Sequence, residues 1–273
     1  MQSLKRNESP DTAVASDPLT VAVELRDSEA LALVDYALRH KQVQLAFQPV
    51  VQTANPDRMA FYEGLLRVHD RSGRVIPAAS FIDAVEDTEK GRVLDALALE
   101  KGLEVLAAEP SVRLAINMSA RSIGYPGWRQ VLERGLADNP TIGERLILEI
   151  TERTAITMPD LVQVFMSEMQ QKGVSFALDD FGAGYTSFKY LKDFYFDILK
   201  VDGEFIRGIH ADPDNQILAE AMLSLARHFD MFTVAESVEN HLDAEYLASI
   251  GVDCMQGYYF GAPTLNPYWQ RAG

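Results

Sequence analysis

The chain has 273 residues, 47% of them hydrophobic, and a formal net charge of −15. That length can bury one large core, and the acidic balance argues against a DNA-binding surface, which gains affinity by replacing phosphate counterions with Lys and Arg. The single cysteine, Cys254, excludes an internal disulfide and a thiolate metal cluster, and five scattered histidines argue against a histidine-rich zinc site.

The start, MQSLKRNESPDTAVASDP, is polar and lacks the apolar stretch of a signal peptide, and residues 1–20 read as a disordered tail. No apolar run reaches the roughly 20 residues that span a bilayer, so the expectation is a cytoplasmic protein without membrane insertion. From Ser28 to Lys41, apolar residues at helical spacing predict an amphipathic helix with Ser28 as N-cap. Short apolar stretches then alternate with helical patterns. Strands are predicted over 45–51, 61–68, 114–119, 146–151, 175–180, 198–202, 232–237 and 254–260. Helices are predicted over 78–86, 90–108, 128–137, 159–172, 186–193, 215–228 and 242–250. Eight strands with intervening helices suggest a (β/α)8 barrel; a doubly wound open sheet is the alternative, but no GxGxxG follows the first strand.

Four of these strands, in LILEIT, FALDDFG, ILKVD and FTVAESV, end on or beside charge: Glu149, Asp179, Asp180, Lys200 and Glu236. Glu63 in FYEGLLRV and Asn117 in LAINMS add two more polar groups. Buried strand-end charges are costly unless paired, so a cation is expected where they converge, and hard oxygen donors suit a divalent metal. Side chains alternate along a strand, which puts Asn117, Glu149 and Asp179 on the faces of Ala115, Ile147 and Ala177, near the rim where barrel enzymes build their sites.

Each residue also has a plainer reading. Asp179 and Asp180 could form a turn with Gly182 and Gly184. Arg67, roughly 13 Å from Glu63 along the strand at about 3.3 Å per residue, could be a surface arginine rather than a contact to a second phosphate or a base. Lys200 could pair structurally with Asp202, and Gln256 could satisfy buried backbone. Glu152 lies past its strand end as loop support, and Glu239 is expected to cap a helix.

FQP, EGLLR, NMS, LEITE, DDFGAGY, KVD, AESVE and QGYYF occur in an order that resembles the EAL-domain family of cyclic-di-GMP phosphodiesterases, over about Ser28 to Tyr268. The resemblance implies one EAL-type domain over 21–273, a TIM-like barrel whose first strand is antiparallel, and two Mg²⁺ or Mn²⁺ ions, with Ca²⁺ inhibitory. It implies that Glu63, Asn117, Glu149 and Asp179 hold one ion and Asp179, Asp180 and Glu236 the other. Lys200 would orient the attacking water, Gln256 would support the site, and Glu152 would steady the loop after DDFG. Gln48, Glu63, Leu65, Arg67 and Pro77, the last in IPAASFI, would contact substrate. The reaction implied is in-line hydrolysis of cyclic-di-GMP to pGpG. The aromatic run Tyr185, Phe188, Tyr190, Phe194, Tyr195 and Phe196 would pack as core and, by resemblance, adjoin a homodimer interface; a separate regulatory partner is a further expectation. Gly64 and Ser237 depart from the commoner alanine and glycine. Retained metal ligands argue against a non-catalytic receptor, and DDFGAGY and EGLLR against an enolase-like barrel.

Overall fold

The computed structural model describes residues 17–184 and 191–270. In chain order its strands are β1 (Val43–Gln52), β2 (Asn55–His69), β3 (Val75–Pro77), β4 (Leu114–Asn117), β5 (Leu146–Thr151), β6 (Ser175–Phe181), β7 (Ile198–Val201), β8 (Phe232–Ala235) and β9 (Cys254–Gln256). The order β1-β9-β8-β7-β6-β5-β4-β2, with β1 also paired to β2, closes an eight-stranded barrel and leaves β3 outside it. All barrel strands run parallel except β1, which is antiparallel to both β2 and β9. The cause is local. Only Thr53 and Ala54 separate β1 from β2, enough for a hairpin but far short of the dozen or more residues that a parallel crossover needs.

The helices are α1 (Pro18–Arg39), α2 (Ile82–Val85), α3 (Glu89–Ala108), α4 (Pro126–Asp138), α5 (Glu152–Thr157), α6 (Pro159–Gln170), α7 (Gly203–Ile206), α8 (Pro213–His228) and α9 (His241–Ile250). The main core lies between helices and barrel, where Trp128 and Phe165 pack with outward strand residues such as Ile116, Leu148 and Phe176. Inside the barrel, a floor of Val50, Phe61, Ala115, Ile147, Ala177, Ile198 and Val234 draws one residue from each strand except β9, whose Cys254 packs against it. Polar side chains tie the lower end together. The Asp197 carboxylate, just before β7, accepts from Phe176 N–H at 2.8 Å, and that of Asp253, just before β9, accepts from Thr233 N–H at 2.8 Å. Arg145, just before β5, donates to the carbonyls of Leu106, Glu109 and Val112 at 2.7–3.1 Å, closing the end of α3.

Several elements differ from expectation. Helix α1 begins at Pro18, so Ser28 is an interior residue and not its N-cap. Its packed stripe, Ala30, Val34 and Ala37, covers only the second half, which is all that the apolar pattern could reveal. The final strand stops at Gln256, four residues short of the predicted end, and β3, α5 and α7 were not anticipated. Residues 1–16 of the expected tail, residues 186–190 of an expected helix, and Tyr185, Phe188 and Tyr190 lie outside the described residues. Phe194 and Phe196 are core, whereas Tyr195 is 76% exposed.

Candidate active site

One polar layer stands directly above the apolar floor. Two residues along each strand toward the rim from Phe61, Ala115, Ile147, Ala177, Ile198, Val234 and Cys254 come Glu63, Asn117, Glu149, Asp179, Lys200, Glu236 and Gln256. On the antiparallel β1 the count runs backwards, from Val50 to Gln48. Strand alternation therefore brings eight predicted residues into one ring.

Lys200, 1% exposed, lies at its centre. Its Nζ is 2.7 Å from Glu236 Oε1, 2.9 Å from Asp179 Oδ1, 3.2 Å from Glu149 Oε2 and 3.6 Å from Glu63 Oε2. Asp202 is not its partner: that carboxylate accepts from Glu204 N–H at the start of α7. Asn117 Nδ2 donates to Glu63 Oε1 at 2.8 Å and Gln256 Nε2 to Glu63 Oε2 at 2.6 Å. Gln48 accepts from Gln256 at 3.3 Å and donates to the Gly261 carbonyl at 3.1 Å.

Burial raises the pKa of Glu149 well above the carboxylate range, with Glu63, Asp179 and Glu236 adding to the shift against Lys200. Burial pushes Glu236 up to about 8, with Asp179 and Glu63 adding to it, and burial with the charge of Asp179 lifts Asp180 to about 6. For Glu63, burial is outweighed by Lys200 and by the hydrogen bonds from Gln256 and Asn117, which hold its pKa low. Lys200 is held firmly protonated, its burial overcome by Asp179, Glu149, Glu236 and Glu63.

These residues fit a pair of divalent cations. Carboxylate oxygens of Glu63, Glu149 and Asp179 lie within 4.8 Å of one another, as do those of Asp179, Asp180 and Glu236. Glu149 Oε1 is buried with no hydrogen-bond partner. Five carboxylates face one ammonium, and two divalent charges balance the remainder. Asp180 has φ +54° and a register irregularity separates Leu178 from Phe181, so β6 turns two successive carboxylates toward the rim.

Beside the ring runs a groove of about 510 Å³, lined by Leu65, Leu66, Asp95, Asn117, Glu152, Asp179 and Asp180 among others. Arg67 is half-buried, donates to its neighbour's carbonyl, and pairs in register with the exposed Pro77 of β3. Glu152 is buried in the first turn of α5. Glu239 does not cap the following helix. Asn240 does, and Glu239 instead reaches Arg207 at 3.6 Å. Sequence reading passed over Asp95, although an acidic residue between Leu94 and Ala98 on the buried face of α3 is a visible break in the pattern.

The family model for the EAL domain matches residues 32–263, and the chain belongs to that family. It is 34% identical over 254 residues to cyclic di-GMP phosphodiesterase PdeF of Escherichia coli, covering 89% of this chain and 34% of that protein. It is 31% identical to the bifunctional diguanylate cyclase and cyclic di-GMP phosphodiesterase MucR of Pseudomonas aeruginosa, covering 94% of this chain and 37% of that one. The chain thus spans about a third of the length of these relatives. A solved MucR phosphodiesterase complex with c-di-GMP superposes with a TM-score of 0.78 at 28% identity, covering 89% of this chain and 99% of that one. An EAL-domain protein from Listeria monocytogenes gives 0.72 at 26% identity, over 85% and 93%. No described helix is long and apolar enough to cross a membrane.

Proposed function

We propose that this chain is a metal-dependent phosphodiesterase that hydrolyses cyclic-di-GMP to linear pGpG. The observation that carries the reading is the ring itself: four carboxylates around a buried lysine, with Glu149 Oε1 left unpartnered. Glu63, Asn117, Glu149 and Asp179 would hold one Mg²⁺ or Mn²⁺ ion, and Asp179, Asp180 and Glu236 the other. Such ions activate water at neutral pH and stabilise charge on the leaving 3′ oxygen.

The chain's own residues do the rest. Lys200, kept charged by its neighbours, holds the attacking water against the scissile phosphate. Gln256 fixes Glu63 and is itself fixed by Gln48, so a rotation at one rim position is resisted by two others. Arg67, beside Pro77, supplies a guanidinium for the second phosphate or base, with Leu65 and Gln48 along the ligand's path. Glu152 steadies the segment after Asp180. The named relatives support this substrate, and the shared oxygen donor set supports hard cations over soft ones.

The test is chromatography of cyclic-di-GMP incubated with purified protein and Mg²⁺ or Mn²⁺, with Ca²⁺ as the inhibitory control. Appearance of pGpG only with Mg²⁺ or Mn²⁺ is expected. Intact nucleotide that the protein nevertheless binds would favour a receptor. We also propose a homodimer, supported by the exposed Val164 on α6 and Tyr195, whose carbonyl accepts from Gln170 of the same helix.

A further inference from the structure

We infer that Asp95 is a positioning residue that fixes Asn117 for the first metal ion. The inference rests on reading the ring as a metal centre. Asp95 Oδ2 accepts from Ser119 N–H at 3.0 Å and from Ser122 Oγ at 2.6 Å. Both donors lie past Asn117, the last residue of β4 and of its register with β5. The next link, Met118 N–H to the Glu149 carbonyl at 2.9 Å, fixes only one side of this exit. Asp95 fixes the other from a rigid base, since Leu94, Ala98 and Leu99 around it on α3 are buried.

Asn117 is the weakest donor of its set. It is neutral, and its amide nitrogen is committed to Glu63, so its oxygen reaches a cation only if the backbone places it correctly. A carboxylate that holds Ser119 and Ser122 supplies that placement without touching the metal, and removal of such a support typically weakens metal binding roughly 10-fold to 100-fold. Asn117 serves only the first ion, and Asp180 and Glu236 complete the second group with the shared Asp179, so the first ion is the one affected.

Calorimetric titration of Mn²⁺ into the chelator-treated full chain tests this, with circular dichroism and Tm measured in parallel. Asp95→Leu is expected to weaken one of two binding events roughly 10-fold or more. Asp95→Asn, whose single amide oxygen can accept both bonds, restores it. A folded Asp95→Leu protein that binds Mn²⁺ like wild type overturns the assignment, as does an Asn variant as weak as the Leu variant. If Asp95→Leu does not fold, Ser122→Ala decides: a smaller loss at the same event is expected, and unchanged binding overturns the proposal. Wild-type protein that takes up no Mn²⁺ would overturn the metal-centre reading itself, and this inference with it.

Discussion

At the scale of single residues, the site trades stability for charge. Glu149 is disfavoured as an anion by burial and by three neighbouring carboxylates, and Lys200 keeps three partners without it. Glu149→Gln is therefore expected to raise the Tm of the metal-free protein, by an amount equivalent to about 1 kcal/mol, while lowering hydrolysis at least ~100-fold. Thermal melts in chelator and product chromatography check the two halves. The pH dependence follows from Glu236 and Asp180. Both have folded-state values, about 8 and about 6, above their ordinary 4.5 and 3.8. Their protonated forms stabilise the metal-free fold fully below those ordinary values, and the contribution is lost as pH rises through about 6 and then about 8. The Tm in chelator should fall over that window, and Mn²⁺ should raise it more at about pH 8.5 than at about pH 6. A Mn²⁺ effect independent of pH would contradict the ligand assignment.

At the scale of elements, the two departures from family pattern each have a structural counterpart. A Cβ on Gly64 would lie 2.7 Å from Ile116 Cδ1. Gly64→Ala should cost about 1–2 kcal/mol alone, and Ile116→Val should recover most of it in a double-mutant cycle. Ser237 holds φ +56° while its hydroxyl accepts from Arg207 at 3.0 Å. Glycine there would relieve backbone strain but lose the bond, each about 1 kcal/mol, so Ser237→Gly should be near neutral; Ser237→Ala, which keeps the strain and loses the bond, should be the less stable. Denaturant midpoints rank the three proteins. The same elements explain what the sequence disclosed. Seven strands of four to fifteen residues were visible because a buried apolar run precedes each polar rim residue, as with Ile147 before Glu149. Three-residue β3 carries Pro77 and no run, and α7 is a single turn, so neither leaves a periodic signal. The antiparallel first strand entered from resemblance, because its hairpin turn was hidden inside an apparent nine-residue gap. Asp95 escaped because its partners are set by tertiary contact.

At the scale of the whole molecule, the barrel presents an acidic rim over an apolar floor, and its outer surface offers Val164 at 69% and Tyr195 at 76% exposure. Light scattering at micromolar concentration should give a dimer mass, and Val164→Asp with Tyr195→Asp should give a monomer that still melts cooperatively. A wild-type monomer would remove that proposal and leave the chemistry of the rim untouched.

Strand alternation is a parity rule, and β6 breaks it once. Through the left-handed residue Asp180, an odd-numbered and an even-numbered neighbour come to serve the same side, so β6 supplies two of the three carboxylates in the proposed second group while Asp179 also belongs to the first. Asp180's place in that group therefore depends on one backbone dihedral as much as on its carboxylate. Asparagine at 180 tolerates that dihedral and would keep the geometry without the charge, whereas a β-branched residue would push the strand back into alternation and remove the position itself.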